Sequence, residues 1–421
     1  MQIVIYTTEV TNRLKYVLDF IFVQYFGIDY FLETDIVVFK KQTLIANFIC
    51  INYSKEQINN CINISCEKLL FQTNIIPQKI FIALIDEMPV IFPSEFLDSS
   101  FQFDIFAAIF YLITRYEEYL PHEQDEHGRY CSHNSILAKP EFSFKPIVEI
   151  WLAYFKSILL NIQPGLEFKR HKFTKIFTFD IDNAFQYKHR NWFKHPPNIF
   201  ITEVRNVLFG KQNDKYNTFD ELFQFCNQLS HKPYFFFLLN DSSRRNSNVS
   251  PKANALHHII KNCTEFYIGI HSSYHFSQTF FIREIQLLSK IVNYPIVFSR
   301  QHFLKISFPD YFRTLVEYGI TKDFSLSYPN ISGCRAGTTQ AFFFFDIIND
   351  KQTSLLIQPF IFMDATYQYY IHDDNYTIQH KVEKLLDEIQ RINGNFVSLF
   401  HNDLLHDSLP FKNIMKNIQE Y

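Results

Sequence analysis

The chain has 421 residues, a formal net charge of −3 and a sequence pI of about 6.6, which argues against a basic surface for nucleic acids or anionic membranes. Hydrophobic residues make up 47% of the sequence, so the chain can bury a large core, and its length favours two or more domains. The seven cysteines form no C-x-x-C pair, which predicts free thiols in a reducing compartment rather than a zinc ribbon or a disulfide framework.

The first part of the chain mixes strand and helix patterns. The start, Met1–Val10, lacks the basic residues of a secretory signal, and the apolar run Ile105–Ile113 is too short to span a bilayer. We therefore expect a soluble, cytoplasmic protein with no membrane span. Apolar runs predict strands at Gln2–Tyr6, Ile36–Phe39, Ile45–Ile51, Ile80–Leu84 and Pro89–Phe92. Amphipathic spacing predicts helices at Arg13–Phe26, Phe103–Leu120 and Pro146–Leu160.

Two irregular stretches divide this part of the chain. The polar stretch Pro121–Arg129 holds His122, Asp125 and His127, which could bind a metal, although a solvated loop is the favoured interpretation. The stretch Asn161–Gly165 carries Pro and Gly and predicts a domain boundary. We expect an α/β accessory domain over residues 1–165 and a second domain over residues 166–421.

Beyond the boundary, strands and helices alternate. The predicted strands are Ile176–Phe179, Tyr234–Leu239, Phe266–Ile270, Pro295–Phe298, a short strand near Asp323, Leu355–Phe362 and Phe396–Phe400. Runs this apolar are typical of strands covered on both faces by helices, and therefore of parallel pairing. The expected fold is α/β: a distorted (β/α) barrel of about seven parallel strands, preceded by a smaller α/β domain.

Two carboxylates, Asp180 and Asp182, end the strand that opens this second domain. A buried carboxylate is costly without a partner, and in parallel α/β folds the carboxyl ends of the strands are where sites form. The plain alternative is that one Asp caps a helix and the other is solvated. Further polar residues follow other strands, which favours a site: His271, Arg300, Asp323 or Asp364, and His401.

The segment His271-Ser-Ser-Tyr-His275 adds a candidate metal pair, because residues four apart share one face of a helical turn. Alone this spacing is weak. Together with Asp182 it predicts a site of one carboxylate and two imidazoles, which leaves coordination positions open for water and substrate.

Four motifs together resemble the polysaccharide deacetylases, carbohydrate esterase family four. They are T-F-D-x-D ending at Asp182, G-x-H-S-S-x-H ending at His275, the strand end with Arg300, and L-x-H ending at His401. The resemblance covers roughly Thr174–Leu405. The preceding part looks like an uncharacterised α/β domain that accompanies some of these proteins.

The resemblance implies a metal-dependent hydrolase that removes an N-acetyl group from an amino sugar or saccharide precursor. By position, Asp180 matches the catalytic base, and Asp182, His271 and His275 match the ligands of one divalent ion, with zinc as the default. Arg300 matches the arginine that holds the base, and His401 matches the general acid. An acid should fix the tautomer of His401, with Asp323 the closer match to the motif and Asp364 the second choice.

Two departures from the family pattern, and one further segment with an arginine, affect the site. Ile181 separates the two aspartates, as in a subset of the family, and His302 stands where the third motif usually has Pro. His302 is a candidate extra ligand or substrate contact, with a packed histidine as the alternative. Arg335, in Gly333-Cys-Arg-Ala-Gly337, is a candidate for binding an acidic substrate group, with an exposed arginine as the alternative.

Other functions compete with this one. Two histidines and one carboxylate also form the facial triad of non-haem iron enzymes, and a catalytically silent carbohydrate-binding relative would keep the fold. The D-x-D pair also occurs in metal-binding glycosyltransferases, which do not need H-x-x-x-H. The combination of base, ligands and acid favours the deacetylase.

Overall fold

A computed structural model describes residues 2–45, 47–94, 101–190, 201–239 and 248–421. The protein is a mixed α/β molecule with two separate main sheets, one before and one after residue 165. Within these ranges no helix is both long and apolar enough to cross a membrane.

The N-terminal part, residues 2–165, is built on a parallel sheet of four strands in the order β2-β1-β3-β4. A separate antiparallel hairpin, β5-β6, follows it. The strands are β1 Gln2–Thr7, β2 Tyr30–Glu33, β3 Phe48–Ser54, β4 Ile62–Ser65, β5 Ile82–Ile85 and β6 Met88–Ile91. The helices are α1 Asn12–Leu18, α2 Ile36–Gln42, α3 Ile105–Ile113 and α4 Ile147–Ile162.

Two predicted elements of this part are wrong. The predicted strand at Ile36–Phe39 is the start of α2, because Asp35 accepts hydrogen bonds from the backbone N–H groups of Val37 and Val38 and caps a helix. The predicted helix Phe103–Leu120 ends at Ile113, since Arg115 takes a left-handed conformation with φ 54°.

The C-terminal part, residues 166–421, contains a sheet whose nine described strands lie in the order β12-β13-β11-β10-β9-β8-β7-β15-β14. The strands are β7 Thr174–Ile181, β8 Tyr234–Leu238, β9 Tyr267–Ser272, β10 Phe298–Gln301, β11 Lys322–Asp323, β12 Phe342–Asp346, β13 Lys351–Ile357, β14 Phe362–Met363 and β15 Asn395–His401. The helices are α5 Thr202–Leu208, α6 Phe219–Cys226, α7 Asn254–Asn262, α8 Gln278–Val292, α9 Asp310–Glu317, α10 Asp364–Thr366, α11 Asn375–Arg391 and α12 Phe411–Glu420.

This sheet is parallel except for the β12-β13 pair, as the apolar strand runs predicted. The prediction missed β12, a Phe-rich edge strand that pairs antiparallel with β13. Among the described residues the pairings run from β12 to β14 without joining these two edges. Closure into a barrel is therefore not observed, and the sheet is parallel-rich.

The strand register brings the candidate residues together at one end of the sheet. His401 of β15 lies opposite Asp180 of β7, and Arg300 of β10 lies opposite His271 of β9. Asp180 Oδ2 and Asp182 Oδ1 lie 3.3 and 3.1 Å from His271 Nε2, so the two carboxylates point to the same side of the sheet. Parallel pairing therefore gathers residues from distant parts of the sequence.

The two parts of the chain share one buried core. The Tyr16 hydroxyl donates to the Phe343 carbonyl oxygen at 2.7 Å, and the rings of Tyr16 and Phe345 lie 4.8 Å apart. Glu149 of α4 accepts hydrogen bonds from the backbone N–H and the hydroxyl of Thr339. These contacts join buried groups on both sides of residue 165.

Arg335 lies in this contact between the two parts, and its predicted role in binding substrate does not agree with its position. It is 1% exposed, and its guanidinium donates to both carboxylate oxygens of Glu118 at 2.9 and 2.6 Å. Arg115 also contacts Glu118, at 2.8 Å. The two arginines outweigh burial and hold the pKa of Glu118 below its usual value. Arg335 therefore has the position of a structural residue that joins the two parts.

The two glycines beside Arg335 allow this close packing. Gly333 has φ 132° and Gly337 has φ 66°, a region that side chains disfavour. A Cβ atom on Gly333 would meet Phe144 at 2.8 Å, and one on Gly337 would meet Leu112 at 2.9 Å. The backbone conformation at Gly333 and Gly337 therefore serves the contact between the two parts.

We expect a chain that starts at Gly165 to fail to fold, in contrast to the independent second domain that a boundary at residue 165 suggested. Loss of residues 1–164 removes Glu118, the carboxylate partner of Arg335, and exposes the apolar surface that packs on the N-terminal part. Loss of Tyr16 also exposes Phe345. Circular dichroism and thermal unfolding of the truncated chain test this expectation, and a cooperative transition like that of the full chain would contradict it.

Candidate metal centre and hydrolytic site

The site begins with Asp180 at the end of β7. Asp180 is 2% exposed, and its Oδ1 atom accepts a hydrogen bond from Arg300 Nη1 at 2.8 Å. Arg300 is fully buried and also donates from Nε to the Phe324 carbonyl oxygen. A carboxylate and a guanidinium buried together in this way compensate one another.

Aromatic packing holds the Arg300 guanidinium in place. It lies 4.5 Å from the ring centroid of Phe236 and 5.2 Å from that of Phe360. Gly269, two residues before His271, makes room for Phe236, since a Cβ atom there would meet the ring at 2.5 Å. The glycine of the second motif therefore supports the arginine that pairs with Asp180.

Asp182, His271 and His302 form a group of metal-ligand type. His271 Nε2 lies 3.1 Å from Asp182 Oδ1, and His302 Nε2 lies 3.2 Å from Asp182 Oδ2. The ligand atoms of all three residues lie within 4.8 Å of one another. One carboxylate and two imidazoles at this separation suit a divalent cation with open positions.

Two further observations fit a cation here. His271 Nδ1 lies 3.0 Å from the Arg300 carbonyl oxygen, which accepts a hydrogen bond from the Nδ1–H group. The Nε2 atom is then available as the ligand atom. Asp182 Oδ1 is buried and, among the described residues, has no hydrogen-bond partner. Burial opposes ionisation of Asp182, but His302 and His271 outweigh it and hold its pKa well below the usual value. A bound cation would be coordinated by this oxygen and by the imidazole nitrogens together.

The structure does not bring His275 into this group, contrary to the expectation that it pairs with His271. His271 lies in β9, and the chain forms a loop after this strand. The two histidines therefore do not share a helical turn. Helix α8 begins only at Gln278, where Ser277 caps it. His275 is exposed, and His302 takes the corresponding place from the next strand.

The serines between the two histidines fix the loop after β9. The Ser272 hydroxyl donates to Gln301 Oε1 at 2.7 Å, and Gln301 Nε2 donates to the Ser273 carbonyl oxygen at 2.9 Å. Buried Glu284 of α8 accepts hydrogen bonds from the backbone N–H and hydroxyl of Ser273. Gln301 precedes His302, so these bonds set the two histidine-bearing segments against each other.

His401, at the end of β15, is bound by Asp364 rather than Asp323. Asp364 is fully buried, and it accepts the backbone N–H and the Nδ1–H of His401, both at 2.7 Å. Burial lowers the pKa of His401, but the Asp364 charge outweighs burial and raises that pKa to about 10.

Asp323 has a different set of partners. It accepts hydrogen bonds from the hydroxyls of Ser299, Tyr311 and Ser325. Burial raises its pKa. Its preference over Asp364 as the partner of His401 was therefore wrong.

These groups line one open cavity with a volume of about 310 Å³. Its polar lining includes Asp180, Asp182, His271, His302 and His401, and Met363, Leu399 and Leu404 are among its apolar lining residues. Asp403 and Arg129 are among the lining residues that the sequence did not predict. Burial raises the pKa of Asp403 to about 6, and its carboxylate accepts a hydrogen bond from Asn183. Asp403 follows His401 by two residues, a signal of the same kind as the Asp180 and Asp182 pair.

The described residues contain a second group of metal-ligand type at the surface. It comprises Glu123, Cys131 and His133, and His133 Nε2 lies 2.9 Å from Glu123 Oε2. Both of these side chains are more than half exposed, at 68% for Glu123 and 62% for His133. None of the three residues lines the cavity.

Comparisons with known proteins add the following. Residues 3–164 match the model of a family of unknown function (DUF7033), and a search of curated proteins finds no match. A putative polysaccharide deacetylase from Mycobacterium smegmatis is 15% identical, with 61% of this chain and 86% of that chain covered and a TM-score of 0.40. A polysaccharide deacetylase from Bacillus cereus is 13% identical, with 60% of this chain and 88% of that chain covered and a TM-score of 0.31. Puue allantoinase is 9% identical, with 59% of this chain and 83% of that chain covered and a TM-score of 0.39. Likenesses this distant carry no argument about activity, so the function rests on the geometry of the site.

Proposed function

We propose that the protein is a metal-dependent hydrolase that removes an N-acetyl group from an amino sugar or saccharide precursor. The observation that carries the proposal is the arrangement around one cavity of a metal-ligand group, a paired carboxylate and a paired imidazole. The ligand group is Asp182, His271 and His302. The two pairs are Asp180 with Arg300 and His401 with Asp364.

The ligand group suits a divalent cation, with zinc the default because imidazole and carboxylate are common zinc ligands. When bound, the cation would lower the pKa of a water molecule and polarise the acyl carbonyl. His302 takes the place that the resemblance gave to His275. The buried Oδ1 atom of Asp182 supports this assignment, since it is a carboxylate oxygen without a hydrogen-bond donor in the part of the chain that is described.

Asp180 is the proposed general base. Arg300 binds its Oδ1 atom, which leaves Oδ2, 3.3 Å from His271 Nε2, to accept the proton of the attacking water. The hydrogen bond from Arg300 fixes the orientation of the carboxylate, which a positioned general base requires. Arg300 thus acts through Asp180 and does not need to touch the substrate.

His401 is the proposed general acid. Its Nδ1–H is held by Asp364, so Nε2 faces the cavity and carries the proton that the departing amine needs. A pKa raised to about 10 keeps the ring protonated at neutral pH. Hydrolysis then adds water across the amide: the acyl carbon keeps the hydroxyl, and the amine leaves with the proton from His401.

The paired acid and base favour hydrolysis over the alternatives. A non-haem iron enzyme uses the same triad of one carboxylate and two histidines, but it has no need of an imidazolium beside the open positions. A silent binding module has no need of either pair. We propose an acylated amino sugar as substrate because the cavity has both polar and apolar lining residues near His401 and Asp180.

We expect Asp364→Asn to shift the alkaline limb of the kcat profile to lower pH by on the order of 1–3 units. The protonated form of His401 exists below its pKa, so activity falls as pH rises through that value, and removal of the Asp364 charge lowers it. Asp323→Asn is the matched control, since Asp323 does not contact His401. Equal limb positions in wild type and Asp364→Asn would contradict the role of His401.

The proposal is tested by acetate release from a panel of N-acetylated amino sugars, with and without a chelator. We expect release from at least one member, its loss with chelator and its return with zinc. Release that a chelator leaves unchanged would exclude the metal-dependent mechanism.

A further inference from the structure

One segment of the N-terminal part contributes to the wall of the cavity through Arg129. This segment, which we call the strap, consists of residues 123–131, closed by an antiparallel bridge between Gln124 and Tyr130. Asp125 stabilises its turn by accepting the backbone N–H groups of His127 and Arg129. The sequence favoured a solvated loop here, but Arg129 is only 4% exposed.

The strap contacts two loops that carry candidate ligands. His127 Nδ1 lies 3.1 Å from the Tyr274 hydroxyl, in the loop that follows His271. The His127 ring also packs edge-on against the Phe303 ring, which follows His302, with centroids 5.1 Å apart. The strap therefore lies against both histidine-bearing segments of the proposed metal centre.

Arg129 extends these contacts to a third segment. Its Nη1 atom donates to the Phe303 carbonyl oxygen at 3.0 Å, and both Nη atoms lie 3.2 Å from the Tyr370 hydroxyl. Tyr370 lies in the π-helical turn Tyr367–Ile371, directly after the helix that begins at Asp364. Asp125 Oδ2 accepts from Arg129 Nε at 2.6 Å and fixes the guanidinium.

The backbone beside His302 needs such support. Phe303 and Leu304 have φ values of 61° and 52°, a left-handed conformation that costs free energy for residues with side chains. The hydrogen bond from Arg129 to the Phe303 carbonyl holds this turn at the residue next to His302. A charged donor makes this bond stronger than one between neutral groups.

We propose that Arg129 is a positioning residue of the active site, supplied by the N-terminal part of the chain. It fixes the His302 segment and the Tyr370 wall of the cavity, so the proposed metal centre depends on the strap. This inference rests on the proposed function, and it gives the N-terminal part, which the sequence suggested to be an accessory domain, a direct part in holding the site. Arg129 acts through Phe303 and Tyr370 rather than by ligating the cation.

The test compares Arg129→Gln with Arg205→Gln, an exposed arginine on α5. Hydrogen–deuterium exchange is measured without metal, and Co²⁺ is then titrated alone while its absorption spectrum is recorded. We expect exchange in residues 301–305 and 367–371 to rise about tenfold in Arg129→Gln, a factor that loss of a hydrogen bond to a charged group gives. We also expect Co²⁺ affinity to fall about 10- to 100-fold with a changed spectrum, as for other residues that orient metal ligands. Arg205→Gln should match the wild type in both measurements.

Each other outcome is decisive. A folded Arg129→Gln with wild-type exchange, or with raised exchange but wild-type Co²⁺ affinity and spectrum, overturns the positioning role. If the wild type binds no Co²⁺, the proposed metal-dependent function fails, and wild-type exchange in Arg129→Gln would then overturn the positioning role separately. If Arg129→Gln does not fold, Tyr370→Phe replaces it, since it removes only the hydroxyl acceptor. It should raise exchange in residues 367–371 and not in 301–305, and unchanged exchange would overturn the inference.

Discussion

Asp180→Asn is expected to lower turnover by about 10²- to 10⁴-fold, the contribution of a positioned general base, while the protein keeps its metal. An amide cannot accept the proton from water, but its oxygen can still accept the hydrogen bond from Arg300, so the buried arginine keeps a partner. Asp182→Asn should lose both turnover and metal, because Asp182 contacts His271 and His302. The measurements are the rate of acetate release and elemental analysis of the same samples.

The two aspartates serve as controls for each other, since the substitution is chemically identical and the positions are two residues apart. Loss of metal from Asp180→Asn would mean that the base and ligand roles are reversed or shared. The distance of 3.3 Å between Asp180 Oδ2 and His271 Nε2 makes this a demanding test.

His302→Ala is expected to remove the metal, and His275→Ala is expected to retain it. His302 is buried beside Asp182, and loss of its ring leaves the proposed cation with one imidazole ligand. His275 is exposed in the loop before α8. Elemental analysis of the two purified variants after dialysis measures the difference.

This pair of variants distinguishes the ligand indicated by the geometry of the site, His302, from the ligand implied by the sequence motif, His275. Metal loss from His275→Ala with retention in His302→Ala would restore the ligand set that the sequence motif implied. Equal metal content in both variants would exclude both histidines as required ligands.

The strand ends were the part of the site that the sequence predicted well. Apolar runs such as Phe177–Phe179 end in carboxylates, and the parallel pairing expected of such runs gathers the strand ends at one edge of the sheet. In the structure Asp180 lies opposite His401 at that edge. The parallel order of these strands follows from runs that are apolar on both faces. The local hydrophobic pattern does not predict whether the sheet closes into a barrel, because closure depends on pairing between its two edge strands.

The errors arose where a contact distant in sequence decided the structure. Nothing between His271 and His275 indicates that the chain leaves β9 as a loop, because Glu284 and Gln301 hold the two serines there. The choice between Asp323 and Asp364 likewise depends on which strand neighbours β15.

The N-terminal contribution was missed for a similar reason. Arg129 lies in a polar stretch, and its partners Phe303 and Tyr370 lie 174 and 241 residues later. Local polarity therefore predicted solvent exposure. In the folded protein, hydrogen bonds to the two distant segments make burial of the arginine favourable.

The central claim is that one divalent cation, held by Asp182, His271 and His302, supports hydrolysis of an N-acetylated amino sugar by Asp180 and His401. It is tested most directly by adding zinc stepwise to chelator-treated protein and measuring acetate release at each step. We expect the rate to rise linearly and to reach its plateau at one zinc per chain, and we expect no rise for His302→Ala under the same conditions. Full activity in the chelator-treated protein, or an equal rise in His302→Ala, would contradict it.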